Sequence, residues 1–101
     1  MPKTTKIEAQ PWYRREDYPR ILSIMEDAVV AADLPPIYDE WVTIAERQEG
    51  DLKAKGLKAE RVVIDPDEFT SYCREKHLKF DELARADFVL WKAFQREIGK
   101  P

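Results

Sequence analysis

The stretch Arg61-Val62-Val63-Ile64-Asp65-Pro66-Asp67-Glu68-Phe69 constrains this chain more than any other, because it reads as a β-strand running straight into a marked helix start. Val62, Val63 and Ile64 are β-branched and form a short apolar run bounded by charge and proline, the composition of a covered strand. Asp65 is a good N-cap, Pro66 suits the first helical position, where its missing N–H costs nothing, and Glu68 stands where a capping-box carboxylate reaches back. A lone strand leaves a row of backbone donors and acceptors without partners. This one therefore pairs either with the N-terminal segment or with a second copy of the chain.

The rest of the chain reads as helix. Residues 4–9 offer a short edge strand with Thr5 and Ile7 on one face. A first helix opens near Asp17 with Pro19 in its first turn, carries Ile21, Leu22, Met25, Ala28, Val29 and Ala32 at helical spacing, and is stopped by Pro35 and Pro36. A second spans 38–55, with Asp39 and Glu40 near its positive end, a stripe of Trp41, Ile44, Ala45 and Leu52, and Gly56 closing it. The strand is expected over 60–65 and a third helix over 66–76, with Phe69, Tyr72 and Cys73 inward. Asp81 caps a fourth helix that runs to Ile98. The expected fold is therefore α+β and predominantly helical: about four helices with one or two short strands around a central strand-to-helix unit. Residues 1–10 read as a flexible or edge-strand segment and 11–99 as a single domain, the number of cores a chain of 101 residues supports.

The fourth helix departs from an ordinary surface helix. At 100° per residue Glu82, Arg85, Lys92 and Arg96 share a narrow polar sector, while Leu83, Ala86, Phe88, Val89, Leu90, Trp91, Ala93, Phe94 and Ile98 fill most of the remainder. That arc is about twice the width of about 100° usual for a helix packed on one side. Two readings follow, a central helix wrapped by its own chain or a helix with a second, intermolecular face. Asp87 falls inside the arc, so Arg, Tyr or His is expected beside it.

Charge narrows the function classes. The net charge is −3, but residues 26–51 hold eight acidic residues and one basic one. Such a band opposes phosphate backbones and makes nucleic acid an unsuitable partner, whereas a basic protein surface suits it. No apolar run is long enough to span a bilayer, and the first residues lack the apolar core of a signal peptide, which points to the cytoplasm. The single cysteine, Cys73, excludes an intrachain disulfide and fits a reducing compartment.

Three groups of residues carry possible chemistry. Asp65, Asp67 and Glu68 stand at the strand-to-helix junction, where carboxylates serve acid–base work or a hard cation; capping and helix-dipole complementation use the same residues at the same spacing. Cys73 and His77 are four apart on the third helix, but two ligands do not make a zinc site. Trp12, Tyr13, Arg14, Arg15, Tyr18 and Arg20 form a basic aromatic cluster, suited to tacking the N-terminal segment onto the core with its arginines exposed or paired to the second helix. None of these groups fixes a catalytic, cofactor or metal site, and no cofactor is expected.

Asp17-Tyr18, Leu34-Pro35-Pro36, Tyr38-Asp39-Glu40-Trp41 and Ile64-Asp65-Pro66-Asp67-Glu68-Phe69, followed by Cys73, resemble segments of a group of small bacterial proteins of about this length. The resemblance covers residues 12–86. It implies a small cytoplasmic bacterial protein and brings no catalytic or binding residue with it.

The expectation is thus a non-enzymatic interaction or accessory protein, a homodimer held by Phe88, Leu90, Trp91, Phe94 and Ile98, with Val62, Val63 and Ile64 adding strand pairing. One alternative is an acidic inhibitor or regulator that docks residues 26–51 on a basic protein. The other is a small enzyme or cation-binding protein using Asp65, Asp67 and Glu68, with Cys73 and His77 nearby.

Overall fold

The partner of the strand is the N-terminal segment. In the computed structural model, which describes residues 6–25 and 34–98 and the side chains as far as residue 96, β1 (Ile7–Trp12) and β2 (Lys58–Val63) form a two-stranded parallel sheet. Ile7 stands opposite Lys58 and Trp12 opposite Val63. The crossover between them contains α1 (Tyr18–Ile24) and α2 (Tyr38–Ala54); α3 (Pro66–Lys76) and α4 (Glu82–Ile98) follow β2. The fold is α+β and predominantly helical, as the sequence indicates. β2 begins and ends two residues before the expected strand, because Lys58, Ala59 and Glu60 are recruited by pairing with β1 rather than by an apolar pattern of their own. Ile64 still extends the ladder, its N–H donating to the Trp12 carbonyl at 2.8 Å. Of the expected positions of the first strand and first helix, Thr4, Thr5, Ala28, Val29 and Ala32 lie outside the described residues.

Local chemistry accounts for the helix ends. Asp65 Oδ1 accepts the N–H groups of Asp67 at 2.8 Å and Glu68 at 3.1 Å, with Pro66 in the first turn of α3. At the other end of α3, His77 adopts the left-handed conformation (φ 57°) and the Leu78 N–H reaches back to the Cys73 carbonyl at 2.8 Å. α2 closes the same way: Gly56 has φ 81°, and the Leu57 N–H bonds the Leu52 carbonyl at 3.0 Å. Asp81 caps α4 through the Ala84 N–H at 3.0 Å.

The sheet divides the core in two. On one face Trp12, Tyr13, Tyr18, Tyr38 and Trp41 form a nest of rings with centroids 4.9 to 5.8 Å apart. This is how the N-terminal aromatic cluster is used: it fastens β1 and α1 to α2. On the other face α4 lies against both strands with α3 beside it, and Phe69, Tyr72 and Phe88 meet edge-on. Val62, Ile64, Phe69, Cys73 and Phe88 are completely enclosed. Burying side chains of the Val to Phe class stabilises the fold by about 2 kcal/mol each.

Candidate interaction surface

α4 is set into the fold with part of its polar sector inward: Arg85 is buried and Lys92 half-buried, while Glu82 and Arg96 stay exposed. Arg85 is 2 % exposed, with Nη1 3.4 Å from Met25 Sδ. Lys92 Nζ donates to Glu68 Oε2 at 2.6 Å, and Arg96 Nη1 to the Arg61 carbonyl at 3.1 Å and to Glu60 Oε1 at 3.3 Å. Lys92 and Arg96 thus find their partners on α3 and β2. Ala84, Phe88 and Val89 fill the rest of the inward face.

The outward face is consequently apolar. Leu83 is 80 % exposed, Leu90 65 % and Phe94 62 %, and Ala86 is exposed between them. Spacings of three, four and four residues place all four on one stripe. Part of the polar sector thus faces the sheet and α3, where Glu60 and Glu68 receive Arg96 and Lys92, and the apolar arc is left to cover two sides. Asp87 borders the stripe and accepts a hydrogen bond from the Tyr72 hydroxyl, one of the partners its position called for.

This arrangement sorts the expected contact residues. Phe88, Val62 and Ile64 are enclosed by their own chain and are core, not interface, because α4 and the β1 pairing already cover them. Trp91 and Val63 are half-buried, Trp91 stacking on Tyr72 with centroids 5.0 Å apart. Leu90 and Phe94 remain available, and the side chain of Ile98 lies outside the described residues. Leu83 was within reach of sequence reasoning, since it stands seven residues before Leu90 on the same face.

Each carboxylate at the strand-to-helix junction is engaged by a cation or by the helix start. Asp65 caps α3 and lies 4.0 Å from Arg14 Nη2, Asp67 pairs with Arg20, and Glu68 pairs with Lys92. They line a cleft of about 550 Å³ with Arg14, Val63, Lys92 and Arg96, which holds both cations and carboxylates. Arg20 holds the Asp67 carboxyl below its usual range, through a hydrogen bond and its charge. Cys73 is completely buried while His77 is exposed beyond the end of α3, so the two share no site. Their i,i+4 spacing fails as a site because α3 ends between them. Among the described residues no group of three or more His, Cys, Asp or Glu is placed to hold a metal ion.

No family model, curated protein or solved structure matches this chain. Among the described residues no helix is long and apolar enough to cross a membrane. The acidic second quarter is partly neutralised: Arg15 pairs with Asp39, and Arg61 grips Glu49 through two hydrogen bonds. Glu26, Asp27 and Asp33 lie outside the described residues.

Proposed function

We propose that this protein is a non-enzymatic interaction or accessory protein that self-associates as a homodimer through the outward stripe of α4. The observation that carries the reading is the inverted orientation of that helix, with Arg85 and Lys92 directed inward and Leu83, Leu90 and Phe94 directed outward. An isolated surface leucine needs no explanation, but an aligned stripe opposite a fully packed face marks an interaction surface. Together the three large side chains present roughly 300 to 400 Å² of apolar surface, the size at which a patch on a monomer is often functional. The lone, enclosed Cys73 and the resemblance of the 38–41 and 64–69 segments to small bacterial proteins support a cytoplasmic address.

Light scattering across protein concentration, at low and high salt, tests the reading. The expected mass is twice the 11.9 kDa of the chain, maintained in high salt because the contact is apolar. Leu90→Asp is expected to give a monomer with unchanged helical circular dichroism, since that side chain supports no internal contact of the core. A parent protein that is monomeric at every concentration overturns the proposal. Association that dissolves with added salt would instead favour docking through the acidic residues.

A further inference from the structure

We infer that in this homodimer β1 pairs antiparallel with β1 of the second copy, giving a four-stranded sheet with the two α4 helices side by side on one face. The inference rests on the self-association reading and adds to it a second, backbone-mediated half of the interface.

Among the described residues, the hydrogen-bonding of the sheet leaves that edge without a partner strand. The Lys58 N–H donates to the Lys6 carbonyl at 2.9 Å and the Ile64 N–H to the Trp12 carbonyl at 2.8 Å, so the even-numbered residues of β1 turn their backbone groups toward β2. Ile7, Ala9 and Pro11 turn theirs outward, and no described strand pairs with them. Pro11 sits where its missing N–H falls on the outer edge, which is why β1 tolerates a proline. An open edge carrying a half-exposed Ile7 and a small Ala9 is a ready template for another strand.

Pro11 limits the registers open to this edge. A two-fold axis at Ala9 places Ala9 opposite Ala9 of the second copy and Ile7 opposite its Pro11. The two Ala9 residues then exchange N–H···O bonds in both directions, and each Ile7 N–H donates to the carbonyl of the opposite Pro11. Pro11 cannot return a bond to the opposite Ile7 carbonyl, so the pairing carries four inter-copy bonds, two between the Ala9 residues and one from each Ile7 N–H. Centring the pair on Pro11 instead would set two residues without N–H groups face to face.

A second copy fits better than an unrelated strand because the edge is continuous with the α4 stripe. Ala9 and Pro11 share a groove of about 300 Å³ with Arg85, Ala86, Val89 and Leu90, so an occupant of the edge also meets α4. α4 lies across both strands, and strands are spaced about 4.8 Å apart; the two-fold then sets the helices about 10 Å apart and antiparallel, the separation of a packed pair with opposed dipoles. With Ile7 added to Leu83, Leu90 and Phe94, the exposed apolar surface reaches roughly 400 Å², close to the apolar share of the about 800 Å² each partner gives to a standard interface.

Amide hydrogen exchange at Ala9, read beside solution mass on the full chain, tests the inference. In the dimer the Ala9 amide is expected to exchange slowly, and to lose that protection on dilution and in Leu90→Asp. Ala9→Pro removes an outward N–H without touching the β1–β2 ladder, and should weaken dimerisation about thirtyfold, the effect of two lost backbone hydrogen bonds, with unchanged circular dichroism. A dimeric mass with fast exchange at Ala9, or with Ala9→Pro dimerising like the parent, overturns the strand pairing and leaves the α4 contact standing. A monomer at every concentration overturns both. If Ala9→Pro does not fold, exchange in the parent protein decides.

Discussion

The Arg61 guanidinium lies over the indole of Trp12, 3.7 Å from the ring centroid. The same group donates Nε and Nη2 to the two carboxylate oxygens of Glu49 at 2.8 and 2.9 Å, so one side chain joins β2 to β1 and both to α2. Trp12 in turn meets Trp41 edge-on, 4.9 Å between centroids, which couples this surface clamp to the aromatic core. The Arg61 hydrogen bond holds the Glu49 carboxyl below its usual range.

Arg61→Lys is expected to lower stability by about 1 kcal/mol, because an ammonium neither stacks flat on the indole nor grips two oxygens at once. The difference between the two proteins should shrink in acid. Glu49 has a depressed pKa, so its contribution is present above the ordinary carboxylate range and is lost as pH falls through it. Urea midpoints at neutral and acid pH measure both effects, and equal midpoints at neutral pH would show that the stack contributes nothing.

Two aspartates at the start of α3 should respond differently. Asp65→Ala removes the acceptor for two N–H groups and is expected to cost about 1 kcal/mol. Asp67→Asn breaks only an exposed pair with Arg20 and should change stability by less than about 0.5 kcal/mol. Thermal melting of the two variants checks the contrast, and an Asp67→Asn loss as large as that of Asp65→Ala would contradict it.

The junction between β2 and α3 was legible in the sequence because its chemistry is local: Asp65, Pro66 and Glu68 state the helix start within four residues, and α3 runs over the expected 66–76. Gly56 and Asp81 marked α2 and α4 for the same reason. The strand partner was not decided, because parallel pairing across a crossover depends on how α1 and α2 pack. Lys58 and Glu60 carry no strand pattern of their own. The inward side of α4 was not decided for a related reason. A helical wheel groups Arg85, Lys92 and Arg96 into a solvent-like sector but does not show that Glu60 and Glu68 wait on the sheet and α3 to receive two of them. The exposed stripe was within the apolar arc all along, and only packing could show which part of the arc remained outside.

His77 is the one non-glycine residue with positive φ among the described residues, at the position where helix ends favour glycine. A residue with a Cβ pays about 1 kcal/mol to hold the left-handed conformation, and the exposed imidazole offers no burial in return. His77→Gly should therefore raise stability by about 0.5 to 1 kcal/mol after the added flexibility of glycine in the unfolded chain is counted, shifting the melting temperature by a few degrees. An unchanged or lower melting temperature would mean that the imidazole makes a contribution of its own.

Tyr72 sets a limit on stability in alkali. Burial first, then the hydrogen bond to Asp87 and the charge of Asp87, push its phenol up to about 12. In the unfolded chain the phenol ionises near 10. Below pH 10 both states keep the proton and the contribution is fully present. Between about pH 10 and 12 the unfolded chain releases its proton while the native chain retains it, so unfolding becomes progressively more favourable as pH rises. Tyr72→Phe removes this titration, and its stability should fall less steeply than that of the parent over the same window. The raised phenol of Tyr38, also due chiefly to burial, is present in both proteins and cancels in the comparison. Urea unfolding at intervals from pH 9 to 12, with phenolate absorbance followed in parallel, measures the two slopes. Identical slopes would show that the Tyr72 proton is not held by the fold.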